Sequence, residues 1–98
     1  MKKVMISQPM RGKTNEQIRE ERKKLVKLIE EEGYVVLDTV FDEAPKDIDE
    51  AIWYLSKSIE YLAQANMVFF MKGWEKARGC KIEHQIAVEY GKEIMYEN

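Results

Sequence analysis

The sequence predicts an α/β fold, a small flavodoxin- or Rossmann-like three-layer sandwich with a four-stranded parallel sheet. Short apolar or β-branched runs alternate with longer segments whose apolar residues recur at helical spacing, in the order β-α-β-α-β-α-β. No linker, repeat or low-complexity stretch interrupts this alternation, so we expect a single domain over residues 1–98. With right-handed crossovers between its strands, the sheet is expected to have the order 2-1-3-4.

Four short segments have the composition of strands in such a sheet. Each is rich in apolar or β-branched side chains, and the first is closed by a Gln8-Pro9 turn. The predicted strands are Lys3–Ile6, Tyr34–Leu37, Met67–Met71 and Glu93–Tyr96.

Three longer segments are predicted to be helices. The first begins at Thr14, which forms a capping box with Gln17, and ends at Gly33. Its apolar positions are expected at Ile18, Leu25, Leu28 and Ile29, and its face dense in Arg, Lys and Glu is predicted to be solvated. The second is capped by Asp47 or Asp49 and runs to about Ala65, with apolar positions at Ile48, Ile52, Leu55, Ile59 and Leu62. The third follows a Gly73–Arg78 loop and runs into Gly91.

The composition excludes several classes of function. With 45% apolar and 35% charged residues and a net charge of −2, the chain reads as globular and lacks an extended nucleic-acid surface. No apolar run is long enough for a signal peptide or a membrane-spanning helix. Cys80 is the only cysteine, which excludes an internal disulfide. We therefore expect a cytoplasmic protein without a nucleic-acid polymer or a membrane as partner.

Glu83 is the residue that the helical pattern makes conspicuous. The residues on one face of the third helix are Gly79, Glu83, Ile86, Ala87 and Tyr90. A carboxylate therefore lies in the stripe that should pack on the sheet, where a charge is costly unless it is paired or used. Glu83 is either a nucleophile or general base, or a structural glutamate bonded to backbone N–H groups or to Arg78.

The predicted topology also locates a ligand site. Parallel sheets of this type bind ligands beyond the carboxyl ends of their strands, where the strand order reverses. Here that point lies between the first and third strands, so the loops Ser7–Lys13 and Gly73–Gly79 should be neighbours. The Ser7–Gly12 segment suits an anion such as a phosphate, or it is a tight turn with an exposed arginine. It is not a P-loop or a dinucleotide fingerprint.

Four further residues near this point of the fold need an interpretation, and for Trp74, Arg78 and His84 the sequence leaves two roles open. Trp74 stacks on a planar base or covers the core, and Arg78 binds a phosphate or pairs with a nearby glutamate. His84 points about 100° away from Glu83 on the helix, so a contact with solvent or another subunit is expected. Cys80 is interpreted as a small packed residue.

Two motifs carry a resemblance to a known family. Ser7-Gln8-Pro9-Met10-Arg11-Gly12 and Gly73-Trp74-Glu75-x-x-Arg78-Gly79-Cys80-x-x-Glu83-His84 resemble small phage and bacterial proteins that are described as a domain of unknown function related to nucleoside 2-deoxyribosyltransferases. The wider superfamily includes N-glycosidases of 2′-deoxynucleoside 5′-monophosphates and nucleotide-sensing domains. The resemblance implies a nucleoside or nucleotide ligand, no metal or other cofactor, a homo-oligomer, and a location in the bacterial or phage-infected host cytosol.

The resemblance also implies roles for individual residues. In the transferases the nucleophile is a glutamate in a Gly-x-x-x-Glu pattern, which Gly79-Cys80-Lys81-Ile82-Glu83 matches, so Glu83 is implied as the catalytic residue. The loop after the first strand contacts the sugar or phosphate in that family. The resemblance thereby implies Ser7, Met10, Arg11 and Gly12 as substrate-binding residues, and the further candidates in the second loop are Trp74, Arg78 and Gly79.

Two departures from the family pattern leave the reaction open. Asn66 and Ser58 stand where the enzymes commonly have aspartates, which position the sugar or protonate the departing base. General acid catalysis contributes roughly 100- to 10,000-fold, and neither side chain supplies it. Asp38 is a further accessory candidate. The resemblance implies an enzyme that cleaves or transfers the N-glycosidic bond of a deoxynucleoside or its monophosphate. The alternative is a non-catalytic binder of a nucleotide-derived ligand, either a sensor or a phage sponge. A third possibility is a structural or protein-interaction domain.

Overall fold

The fold is a four-stranded sheet with helices on both faces, seen in a computed structural model that describes residues 2–98. The elements in chain order are β1 (Lys3–Ser7), α1 (Asn15–Glu31), β2 (Val35–Val36), α2 (Glu50–Gln64), β3 (Met67–Phe70), α3 (Arg78–Glu89) and β4 (Glu93–Tyr96). All strands are parallel, in the order β2-β1-β3-β4. The predicted fold class and strand order are therefore confirmed. Within residues 2–98, no helix has the length and apolar character needed to cross a membrane.

The core has two halves, one on each face of the sheet. On the α1 face, Val4 and Ile6 of β1 pack with Ile29. On the α2 and α3 face, Met5 of β1 packs with a second group, Leu62, Ala65, Val68, Phe70 and Ala87. Successive side chains of a strand point to opposite faces, so the last residue of β1, Ser7, lies on the same face as Met5. The chain thus directs the Ser7 hydroxyl toward α3.

The amino end of α1 has the predicted capping box. The Thr14 hydroxyl accepts a hydrogen bond from the Gln17 backbone N–H at 3.1 Å, and the Gln17 side chain accepts one from the Thr14 N–H at 2.8 Å. The prediction for Leu28 is wrong, because its side chain is 60% exposed. It lies about 100° from the centre of the buried stripe. That stripe contains Arg22, which is 4% exposed.

The packing of α2 differs from the prediction in its first turns. Asp49 is the N-cap, and its side chain accepts a hydrogen bond from the Ile52 N–H at 3.0 Å. Ile48 precedes the helix and is 46% exposed, and Ile52 is 64% exposed, so both predictions of burial are wrong. Leu62 near the other end is 1% exposed. The helix therefore packs on the sheet through its carboxyl-terminal half.

Several element ends also differ from the predicted ones. The strand β1 ends one residue later than predicted, at Ser7, and β3 ends one residue earlier, at Phe70. The strand β2 begins later than predicted because the Tyr34 N–H bonds to Ile29 at the end of α1 and not to β1. It ends at Val36, although the Leu37 N–H still bonds to the Val4 carbonyl. Tyr90 was expected in the buried face of the third helix, but it is 78% exposed. The reason is that α3 ends at Glu89 and Tyr90 has already left the helical conformation.

Candidate functional site

The loops that follow β1 and β3 meet at the carboxyl edge of the sheet, as the topology predicts. The Met71 N–H donates to the Ser7 carbonyl at 2.9 Å. Gly73 has φ +92°, and a Cβ atom placed there would lie 3.6 Å from Cγ of Pro9. The short 3₁₀ turn Trp74–Lys76 then leads into α3. The first turns of α3 therefore lie against the ends of β1 and β3.

Glu83 is held at this edge by the last residue of β1. Its side chain is 6% exposed, and its Oε1 accepts a hydrogen bond from the Ser7 hydroxyl at 2.6 Å. This length lies at the short end of the range of O–H···O hydrogen bonds, so the hydroxyl and the carboxyl group are in close contact. The partner of Glu83 is thus Ser7 and not Arg78, the partner considered in the structural interpretation.

The environment of Glu83 acts on its protonation in two directions. Burial raises the pKa of Glu83, and the hydroxyls of Ser7 and Ser58 and the charge of Arg22 oppose that rise. Burial also raises the pKa of the neighbouring Cys80 thiol to about 11, so this thiol is protonated at neutral pH. Glu83 is therefore the group of this cluster that is suited to nucleophilic attack.

A buried arginine network lies on the other side of β1. Arg22 of α1 donates from Nε to the Gln8 side-chain oxygen at 2.8 Å and from Nη1 to the Thr39 hydroxyl at 3.2 Å. Thr39 in turn donates to the Ile6 carbonyl at 3.4 Å. Burial lowers the pKa of Arg22 to about 10. The sequence interpretation missed all three side chains, although the position of Arg22 in the buried stripe of α1 was a usable signal.

The predicted anion-binding segment forms a turn above this edge. The Lys13 N–H bonds to the Met10 carbonyl at 3.1 Å, and Gly12 has φ +78°, a conformation that glycine adopts without strain. Met10 is half-buried, whereas Arg11 and Gly12 are exposed. The guanidinium of Arg11 is therefore open to solvent at the same edge of the sheet as Glu83.

The amino terminus of α3 also faces this edge. Ala77 is its N-cap residue, and among the residues described no side chain caps it by a hydrogen bond. Arg78 is exposed and Gly79 is half-buried in the first turn. The first backbone N–H groups of a helix lack intrahelical partners and suit an anion, so this turn adds donors beside Glu83.

The three accessory candidates lie in different places. Ser58 of α2 is half-buried and lies close enough to Glu83 to favour its ionised form. Asp38 is exposed and pairs with Arg19 at 3.3 Å. The Asn66 side chain accepts a hydrogen bond from the Lys3 N–H at 2.8 Å, at the opposite edge of the sheet. Only Ser58 is thus brought to Glu83. Within residues 2–98 no group of His, Cys, Asp and Glu side chains is arranged to hold a metal ion.

Trp74 and His84 belong to an aromatic cluster within the chain. The two rings stack with their centroids 4.3 Å apart, and His84 Nε2 lies 2.7 Å from the Tyr96 hydroxyl. Phe70 lies beneath, with its centroid 5.2 Å from that of Trp74. His84 is half-buried because the 3₁₀ turn and β4 bring aromatic rings to it, and the expected contact with solvent or another subunit stays a prediction. Trp74 does cover the core, and its half-buried ring lies in the loop beside the site.

A comparison with known families matches residues 2–96 to a domain of unknown function, DUF4406. The chain belongs to the DUF4406 family. A search of curated proteins found no match. The matched region of this DUF4406 domain extends from β1 to β4 and includes both loops at the carboxyl edge, so the Ser7–Glu83 pair lies within the family's domain.

In this DUF4406 domain the E83Q variant should be more stable than the parent near neutral pH. Burial raises the pKa of Glu83 in the folded state above its value in the unfolded state. The contribution of Glu83 to the free energy of unfolding is therefore fully present at pH values below the unfolded-state pKa. It is lost as pH rises through the folded pKa. Glutamine is neutral throughout, so the advantage of E83Q should be greater at about pH 8 than at about pH 4.

Urea unfolding of the parent and E83Q at both pH values measures this difference. The exposed Glu89 on the same helix provides a matched control, since E89Q should stay within about 0.5 kcal/mol of the parent. A loss of more than about 2 kcal/mol in E83Q at the higher pH would identify Glu83 as a structural glutamate whose charge the fold requires.

Proposed function

We propose that this protein breaks or transfers the N-glycosidic bond of a deoxynucleoside or its 5′-monophosphate, with Glu83 as the nucleophile. The observation that supports this function is the buried carboxylate held by the Ser7 hydroxyl at the carboxyl edge between β1 and β3. That edge is where parallel sheets of this order bind ligands. The match of Gly79-Cys80-Lys81-Ile82-Glu83 to the transferase pattern supports the same role.

The proposed reaction is a double displacement at the anomeric carbon. The Glu83 carboxylate forms a bond to that carbon while the C–N bond breaks, and the base leaves with the electron pair and takes up a proton from water. Water or a second base then attacks the anomeric carbon and loses a proton to solvent, while the bond from that carbon to the Glu83 oxygen breaks. This step restores the carboxylate and releases the sugar or a new nucleoside. Ser7 contributes by fixing one carboxylate oxygen, so that the nucleophile needs little reorganisation.

The surroundings of Glu83 support an anionic ligand. Arg11 and Arg78 are both exposed at this edge, and the uncapped first turn of α3 presents N–H groups around Gly79. Met10 and Gly12 shape the turn over the end of β1. The two arginines and these N–H groups would bind a 5′-phosphate of the ligand, and the base would then point toward the loop that contains Trp74.

The alternative function, a non-catalytic binder of a nucleotide-derived ligand, also has a specific observation in its favour. The group that lies near Glu83 from α2 is the Ser58 hydroxyl, which is not a general acid. Asn66, the other departure from the enzyme pattern, bonds to Lys3 at the opposite edge. A binder would use the same edge and leave its ligand intact.

One experiment separates these functions. The protein is incubated with the deoxynucleosides and their 5′-monophosphates, with ribonucleosides as a control series, and products are identified by chromatography and mass spectrometry. Free base released by the parent supports the enzyme. Saturable binding with unaltered ligand supports the binder. If neither turnover nor binding is seen, including in a thermal-shift screen, the site has another purpose.

A further inference from the structure

Arg22 is a buried cation with neutral partners. Its side chain is 4% exposed, and the acceptors of its Nε and Nη1 are an amide oxygen and a hydroxyl. Its Nη2 is buried without a hydrogen-bond acceptor among residues 2–98, and none of the ion pairs found there includes it. A buried charge without a counter-ion is costly, so a purpose beyond packing is indicated.

The hydrogen bonds of Arg22 hold β1 on both sides of Ser7. One bond runs directly to the side chain of Gln8, the residue after Ser7. The other runs to Thr39, which itself bonds to the carbonyl of Ile6, the residue before Ser7. Rotation of the strand end would break these bonds, so Arg22 adds to the pairing with β3 in fixing the direction of the Ser7 hydroxyl.

The charge of Arg22 also acts on Glu83 across the end of the sheet. An ion that lacks a close counter-ion has a field that extends farther through the protein interior than that of a paired ion. The groups that act on Glu83 are the hydroxyls of Ser7 on β1 and Ser58 on α2 and the charge of Arg22 on α1. The neighbouring Cys80 thiol, on the same helix as Glu83, is itself affected by the Glu83 charge. Of these, Arg22 alone carries a charge at neutral pH.

Two further charges act on Arg22 itself. Asp38 favours the charged guanidinium, whereas the like charge of Arg19 disfavours it. Asp38 and Arg19 form an ion pair with each other at the surface, with more than half of each side chain exposed. Solvent and salt weaken their effects, so the buried charge of Arg22 is the one felt at Glu83.

We propose that Arg22 is a positioning residue for Glu83. Arg22 holds the end of β1 so that the Ser7 hydroxyl donates its hydrogen bond to the Glu83 carboxylate, and it supplies a positive charge that stabilises the ionised carboxylate. Arg22 acts through Ser7 and through space, without contact with a ligand. The inference deepens the proposed function, since an ionised Glu83 is the nucleophile there, but it is measurable on the protein alone.

The test is a titration of the Glu83 carboxyl carbon by NMR, with the resonance assigned from its absence in E83Q. In R22M the pKa of Glu83 should rise by at least about half a unit, and R22Q, which keeps a donor but not the charge, should behave alike. R19M is the matched control: it removes the same side chain one turn earlier on the exposed face of α1, and Glu83 should titrate as in the parent.

Each outcome bears on the inference. Titration of Glu83 in R22M and R22Q at the parent value, or an equal rise in R19M, would overturn it. If both neutral variants fail to fold, R22K decides: it keeps the charge, so Glu83 should titrate close to the parent value. A rise in R22K as large as that caused by S7A would overturn the charge role.

The titration distinguishes a failure here from a failure of the proposed function, because it needs no substrate. If base release is detected, the acid limb of the pH profile of kcat/KM should move upward in R22M by the same amount as the pKa of Glu83. If R22M lowers kcat/KM but leaves the acid limb of its pH profile at the parent position, Arg22 has only a structural role.

Discussion

The E83Q variant is expected to lose release of free base by at least roughly a thousandfold relative to the parent. Glutamine keeps the size and one oxygen of the side chain but is a poor nucleophile and cannot form the glycosyl ester. The residue is buried and bonded to Ser7, so the amide should occupy the same place. Initial rates with the best deoxynucleoside substrate, measured by chromatography, give the ratio.

Two controls make the result specific to Glu83. E89Q removes an exposed carboxylate from the same helix and should retain the parent rate. Equal near-ultraviolet circular dichroism of the parent and E83Q would exclude misfolding as the cause. Base release by E83Q within tenfold of the parent would remove Glu83 from the nucleophilic role.

The F70A variant is expected to lower the free energy of unfolding by about 3–5 kcal/mol. Phe70 is fully buried at the end of β3, where it packs on the α2 and α3 face of the core and beneath the rings of Trp74 and His84. Truncation leaves a cavity under both. For a single domain with a total stability of about 5–15 kcal/mol, such a loss would leave little margin.

Chemical unfolding followed by tryptophan fluorescence measures the change. M95A is a matched control from the neighbouring strand β4, because Met95 pairs with the residue before Phe70 and is 49% exposed. Its loss should stay below about 1 kcal/mol. An equal loss in both variants would show that the core is not centred on Phe70.

The fold was predictable because local and global signals agree along the chain. The capping box of Thr14 and Gln17 marked the start of α1, and the alternation of strand and helix patterns implied a parallel sheet with its order. The wrong predictions of burial concern exposed positions such as Leu28 and Tyr90. There the hydrophobic pattern continues although no neighbouring element covers the side chain, which the sequence of one helix does not reveal.

The candidate site was predictable only in part. The helical phase of α3 and the predicted strand order placed Glu83 near the end of the first strand, and in the structure Glu83 and Ser7 are in contact. The same phase argument applies to Arg22, which lies in the buried stripe of α1, but it was not applied to that residue. A charged residue in a buried stripe is informative whichever helix contains it.

The remaining residues needed the three-dimensional structure. Thr39 lies in an irregular segment after β2, and its hydrogen bonds to Arg22 and Ile6 join parts of the chain that no local pattern connects. The stacking of His84 on Trp74 likewise depends on a 3₁₀ turn whose direction is set by the loop from β3. Such contacts follow from tertiary packing and not from spacing.

The central claim is that Glu83 forms a covalent bond to the sugar, and one measurement tests it most directly. The parent protein is mixed at high concentration with a deoxynucleoside, quenched in acid within seconds, digested and mapped by mass spectrometry. We expect an added deoxyribosyl unit on the peptide that contains Glu83, and no such adduct in E83Q. An adduct on another residue, or ligand recovered unchanged beside unmodified protein, would contradict the claim.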